Sequence, residues 1–99
     1  MHQFDVYRPI GDGPLLLVLQ AEAINSFSIV VAAPLYPADD WHDPVRHLQP
    51  RFSIDGQDFV LATNYLAAVS RTQFGEFLTS LEQHRATILS ALDFLFTGI

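Results

Sequence analysis

Four histidines, eleven carboxylates and five arginines are the residues with which this 99-residue chain could do chemistry. The densest group is Asp39-Asp40-Trp41-His42-Asp43, where His42 with Asp39, Asp40 or Asp43 offers the imidazole and oxygen donors of a divalent-metal site. No helical HxxxH-type spacing presents them on one face. The expected reading is a solvated acidic loop around a half-buried tryptophan, with no metal. The pairs Arg71-Thr72 and His84-Arg85 are what metal-free RNA cleavage would draw on, an arginine to steady phosphate beside a group that moves a proton. Such pairs arise by chance in most chains. His84 borders an apolar helical stripe and is expected to be a structural edge residue rather than a base. His2 and His47 sit in no nucleophile or metal motif, and the chain has no G-x-S-x-G, P-loop or G-x-G-x-x-G. With no cysteine there is neither a disulfide nor a thiolate ligand. No catalytic residue and no cofactor are expected.

The elements that would position any site begin with the strongest one, a long C-terminal helix in Thr79 to Ile99 that ends in Phe96-Thr97-Gly98-Ile99. Thr79 and Glu82 have capping-box spacing, nothing after them breaks a helix, and Gly98 supplies the stop. At about 100° per residue, Leu81, Ile88, Leu92 and Leu95 share one stripe, flanked by Leu89, Ala91 and Phe96. That stripe should face a core. The opposite row, Ala86, Ser90, Asp93 and Thr97, is small and weakly polar. It reads either as a solvated face or as a surface that lets another backbone come close. The apolar ending Gly98-Ile99 favours a docked end.

Ahead of the helix the pattern is β. Gln3 to Arg8 alternates as an opening strand, and Pro9 to Pro14 is turn chemistry. Leu15 to Gln20 is a nearly continuous apolar run, a strand buried on both faces or covered by a subunit. A polar bend at Asn25-Ser26 precedes a third strand, Ser28 to Ala33, which Pro34 is expected to close. Pro34 to Pro50 is an irregular excursion. Gln49 to Val69 reads as a hairpin turned by Asp55-Gly56, with Gln57 to Thr63 returning and an apolar face that is core rather than ligand groove. Asn64 to Ser70 is a bent or edge segment, and Arg71 to Phe77 a connector. One domain spanning 1–99 is expected, mainly β with one long C-terminal α-helix, in the form of a small twisted barrel or curled antiparallel sheet.

Composition narrows the partners. A hydrophobic fraction of 49% with only 16% charged residues favours oligomerisation or an adhesive surface. The net charge is −6 with no lysine, and the arginines are dispersed among the acids, so direct nucleic-acid binding is not expected. No run reaches the roughly 18 apolar residues of a membrane span, and the start lacks a signal-peptide layout. A cytoplasmic location without membrane contact is the expectation.

The ending Ala91-Leu92-Asp93-Phe94-Leu95-Phe96-Thr97-Gly98-Ile99 resembles the C-terminus of the CcdB family, toxins of plasmid-type toxin–antitoxin pairs that poison DNA gyrase. Gln3-Phe4-Asp5-Val6-Tyr7 is similar to that family's opening strand, and Val18-Leu19-Gln20-Ala21-Glu22 to its second. Val30 to Leu35 resembles its apolar-then-Pro-Leu strand. Leu48, Pro50, Thr63, Ala67 and Val69 resemble the segment around its central hairpin. The resemblance implies an SH3-like, partly open curled antiparallel sheet, a homodimer, and no enzymatic activity. It implies binding of the DNA gyrase A subunit through Ala23, Ile24, Ser90, Asp93, Phe96, Thr97, Gly98 and Ile99, which holds the cleaved DNA–gyrase complex open. It also implies neutralisation by a CcdA-like antitoxin, for which Tyr7, Phe52 and Phe59 are candidate apolar anchors if they are not simply core.

Two departures bear on affinity. Thr97 stands where a well-known version of the ending has tryptophan, and an aromatic there adds about 0.5–1.5 kcal/mol by stacking. Ala23 is smaller than the family's usual isoleucine. Two other functions compete: a MazF-type mRNA endoribonuclease, which shares the barrel, and a non-toxic remnant that still binds antitoxin.

Overall fold

The computed structural model describes residues 1–24 and 27–99, so the bend expected at Asn25-Ser26 lies outside the described residues. Seven strands are described: β1 (Asp5–Pro9), β2 (Leu15–Val18), β3 (Ile29–Pro37), β4 (Arg51–Ile54), β5 (Gln57–Leu61), β6 (Ala67–Ser70) and β7 (Phe74–Ser80). The one α-helix among the described residues, α1, runs from Arg85 to Thr97. All pairings are antiparallel, in the order β4-β5-β3-β2-β1-β7, with β6 also paired to β3. This is the curled, partly open sheet with one terminal helix that the pattern implies.

β3 is the spine. One edge pairs with β2 throughout, from Leu15↔Leu35 to Val18↔Ala32. The other edge changes partner, from β6 (through Ala32↔Ala67) to β5 (from Leu35↔Leu61). Pro34 falls in that changeover, and its carbonyl accepts from the Ala62 N–H at 3.0 Å. A strand was expected to stop there because proline cannot donate to a ladder. It continues to Pro37 because no partner strand on that edge asks Pro34 for a donor.

The hairpin is local and follows the sequence. Asp55 (φ 52°) and Gly56 (φ 80°) both take the left-handed conformation of a two-residue turn, and Phe52↔Phe59 and Ile54↔Gln57 set the register. The returning strand ends at Leu61, earlier than expected, since Thr63 to Tyr65 form a 3-10 turn.

Two expectations are corrected near the helix. Arg71 to Phe77 is more than a connector, because a 3-10 turn (Arg71–Gln73) leads into β7, which pairs with β1 through Tyr7↔Phe77 and Asp5↔Ser80. Thr79 lies within that strand and cannot cap the helix. The chain leaves β7 through a 3-10 turn at Glu82–His84, where Ser80 Oγ accepts from the Glu82 N–H at 3.2 Å. Pairing with β1 outweighs the local capping signal.

The core gathers on the face that the helix covers. Phe4, Val6, Leu17, Leu35, Leu61 and Ile88 are fully buried and belong to one cluster with Phe52, Ile54 and Leu81. Leu89 and Leu92 pack against it half-buried. Within α1 the stripe reaches the core most fully at Ile88, with the flanking Ala91; Leu81 is buried too but precedes the helix, and Leu95 is only partly covered.

Candidate functional site

The last two turns of α1 bring together most of the residues singled out at the chain's end. Ser90, Asp93 and Thr97, with Ala86 behind them, are exposed on the side away from the core. Thr97 Oγ1 donates to the Asp93 carbonyl at 2.6 Å. Gly98 adopts φ 77°, ψ 14°, and its N–H closes the helix on the Phe94 carbonyl at 2.9 Å. A left-handed cap of this kind is why glycine serves there. Beyond it the apolar side chains are uncovered, Phe96 being 71% and Ile99 90% exposed. In water each is an unfavourable surface, and together they form a ready hydrophobic contact.

A groove of about 420 Å³ lined by His47, Pro50, Ala86, Thr87 and Ser90 continues this face toward the helix start. The His47 ring lies 6.0 Å from that of Phe94, so the segment between β3 and β4 flanks the helix. Ala23, also exposed, stands on a separate element, the 3-10 turn Glu22–Ile24 after β2. That turn is tied by Glu22 to the His2 ring rather than to the helix end. The Ile24 side chain lies outside the described residues.

The three antitoxin candidates differ. Phe52 is 4% exposed and packs within the core, its ring 5.0 Å from that of His84. Of the two roles left open for it, anchor or core, this burial is that of a core residue, and the β4 alternation turns it inward. His84 is accordingly an edge residue of the core. Phe59 is half-buried against the same cluster. Tyr7 is half-buried on the opposite face, edge-on to Phe74 (5.6 Å) and Phe77 (5.7 Å). Its hydroxyl pKa is raised, first by burial and then by the Asp5 carboxylate and its hydrogen bond, while Arg71 opposes.

The outer sheet face carries more than the sequence disclosed. Pro14, Leu16, Ala32, Pro34, Tyr36, Tyr65, Ala67 and Val69 line a groove of about 450 Å³. Tyr36 stacks on Trp41 at 5.0 Å, and Tyr65 meets both rings edge-on. The loop behind this cluster is fixed by the buried Gln49, whose Oε1 accepts from Trp41 Nε1 and the Val45 N–H while its Nε2 donates to Asn64. The continuous apolar run of β2 was the only signal for it.

The arginine pairs are engaged in structure. Arg71 Nε donates to the Phe27 carbonyl at 3.0 Å, and the Thr72 hydroxyl is paired with Ser70 Oγ. Arg85 donates to Gln3 Oε1 and lies over the Phe4 ring. Among the described residues, no three His, Asp or Glu side chains gather as a metal site, and no helix is long and apolar enough to cross a membrane.

Comparison with known proteins agrees with this architecture. Two solved structures, an endoribonuclease in complex with its cognate antitoxin and an endoribonuclease, both from mycobacterial species, superpose with TM-scores of 0.79. The first is 18% identical, covering 97% of this chain and 94% of that one. The second is 17% identical, covering 97% and 90%. At such identities the likeness is one of fold. No curated protein sequence matches the chain. The model of the CcdB protein family matches residues 3–98. With all but its outermost residues matched, the chain belongs to the CcdB family of toxin–antitoxin toxins.

Proposed function

We propose that this toxin acts on DNA gyrase, binding the A subunit through the end of α1 and trapping the cleaved DNA–gyrase complex. The observation that carries this reading is the uncovered apolar end, Phe96 and Ile99 around the Gly98 cap, beside the small exposed row Ser90, Asp93 and Thr97. Such a surface binds by shape and burial and does no chemistry, so the protein is proposed to be no enzyme. It works in the cytoplasm as a homodimer, which places two helix ends together and covers apolar surface that a 99-residue monomer leaves open. A CcdA-like antitoxin neutralises it by occupying apolar surface; Tyr7 and Phe59 remain the candidate anchors, and Ala23 and Ile24 the second gyrase contact.

The endoribonuclease alternative rests on the names of the two structural neighbours, whose likeness is one of fold. The acidic charge balance and the structural engagement of Arg71 and Arg85 weigh against it. Titrating the purified protein against the gyrase A dimerisation domain by calorimetry decides the matter. Saturable binding that Ile99→Asp abolishes supports the proposal. No heat and no mobility shift, together with cleavage of single-stranded RNA, would replace it with the ribonuclease.

A further inference from the structure

The chain has one methionine, and its sulfur faces a guanidinium. We propose that Met1 is a site of reversible oxidation, at which the sulfoxide oxygen supplies the hydrogen-bond acceptor that a buried nitrogen of Arg71 lacks. Arg71 opens the turn between β6 and β7. Its backbone N–H donates to the Ser28 carbonyl at 2.8 Å and its Nε to the Phe27 carbonyl at 3.0 Å. Among the described residues, Nη1 donates to the Met1 Sδ at 3.8 Å, and Nη2 is buried with no hydrogen-bond partner. One oxygen of the Asp5 carboxylate accepts from the His2 N–H at 2.8 Å.

A thioether is a weak acceptor, and a buried donor left unmatched keeps its desolvation penalty, more so on a charged group. Oxidation by a peroxide changes the acceptor. The sulfur lone pair attacks a peroxide oxygen, the O–O bond breaks, and water leaves; the sulfur loses two electrons and the peroxide gains them. The new oxygen carries partial negative charge and accepts a charge-assisted bond from Arg71. Sulfoxide formation ordinarily disrupts apolar packing. Here the sulfur already faces a cation, so the sign reverses. The oxidised sulfur is chiral, and one epimer directs its oxygen at the guanidinium. Because Arg71 also holds Phe27 and Ser28, oxidation fastens the N-terminus to the entry of β3.

Dilute hydrogen peroxide on the folded, purified protein tests this. With one methionine and no cysteine, a gain of about 16 Da mapped to the first peptide identifies the product. The thermal midpoint should rise by about 4 °C, return on treatment with methionine sulfoxide reductases, and show no rise in Arg71→Gln. A folded protein that resists oxidation, a parent midpoint that stays or falls, or an equal rise in Arg71→Gln overturns the proposal. Should Arg71→Gln not fold, the Arg71 Nε–H resonance of the parent replaces it. On oxidation that signal should shift and exchange more slowly with water, and an unmoved signal overturns the proposal.

Discussion

Thr97 donates its hydroxyl to the carbonyl of Asp93, one helical turn back, at 2.6 Å. The hydroxyl proton is therefore spent within the helix, and the side chain offers a partner its methyl group and an oxygen that can only accept. Thr97→Val should leave binding to the gyrase A dimerisation domain within about threefold. Thr97→Trp should tighten it by up to about tenfold, through stacking of roughly 0.5–1.5 kcal/mol. Calorimetry on the two variants checks both; a loss of affinity in Thr97→Val would show that the hydroxyl itself reaches the partner.

Toxicity and folding should separate between Gly98 and Ile88. A Cβ built on Gly98 meets nothing within 4 Å in this chain, so a side chain there is opposed by its φ of 77° and by any partner, not by this chain's packing. Gly98→Glu should cost about 1 kcal/mol through the left-handed backbone, while burying its charge against a partner costs several. Ile88 is fully buried, and Ile88→Asp should unfold the domain. Growth inhibition and thermal melting are measured together. A Gly98→Glu protein that melts near the parent and remains fully toxic would remove the helix end as the working surface.

Thr63 is fully buried, and among the described residues its hydroxyl has no hydrogen-bond partner. Thr63→Val keeps the shape and deletes the unmatched group, which should stabilise by about 1 kcal/mol, or about 4–8 °C in thermal midpoint. A lowered midpoint would reveal a partner for that hydroxyl in solution.

Alkali should expose Tyr7. Its folded pKa is raised above the ordinary tyrosine value of 10.0, so the folded state keeps the proton after the unfolded state has released it. Its contribution is whole below pH about 10 and is lost as pH rises toward the folded value. Melting between pH 9 and 12 should show this decline, and Tyr7→Phe should flatten it. An unchanged slope in Tyr7→Phe would assign the decline to other groups.

What the chain determined by itself is what short-range chemistry controls. Asp55-Gly56 favours left-handed φ at both positions, so the hairpin was legible from two letters. The helix end was legible likewise, because Gly98 alone tolerates its cap, and the exposed row Ser90, Asp93 and Thr97 followed from helical spacing. What tertiary structure decided are the choices between local preferences and distant pairing. Thr79 carries a capping signal, yet β1 claims it for β7, whose register shifts blur its alternation. Pro34 should end a strand, but it sits where β3 changes neighbours and is carried through. Phe52 and Tyr7 are both aromatic residues on alternating strands; alternation gives each strand two faces, and the packing of sheet and helix decides that the face of Phe52 is the core while that of Tyr7 stays half-open. Burial belongs to surfaces that close over a residue from elsewhere in the chain, and no spacing along the sequence records which surface that is.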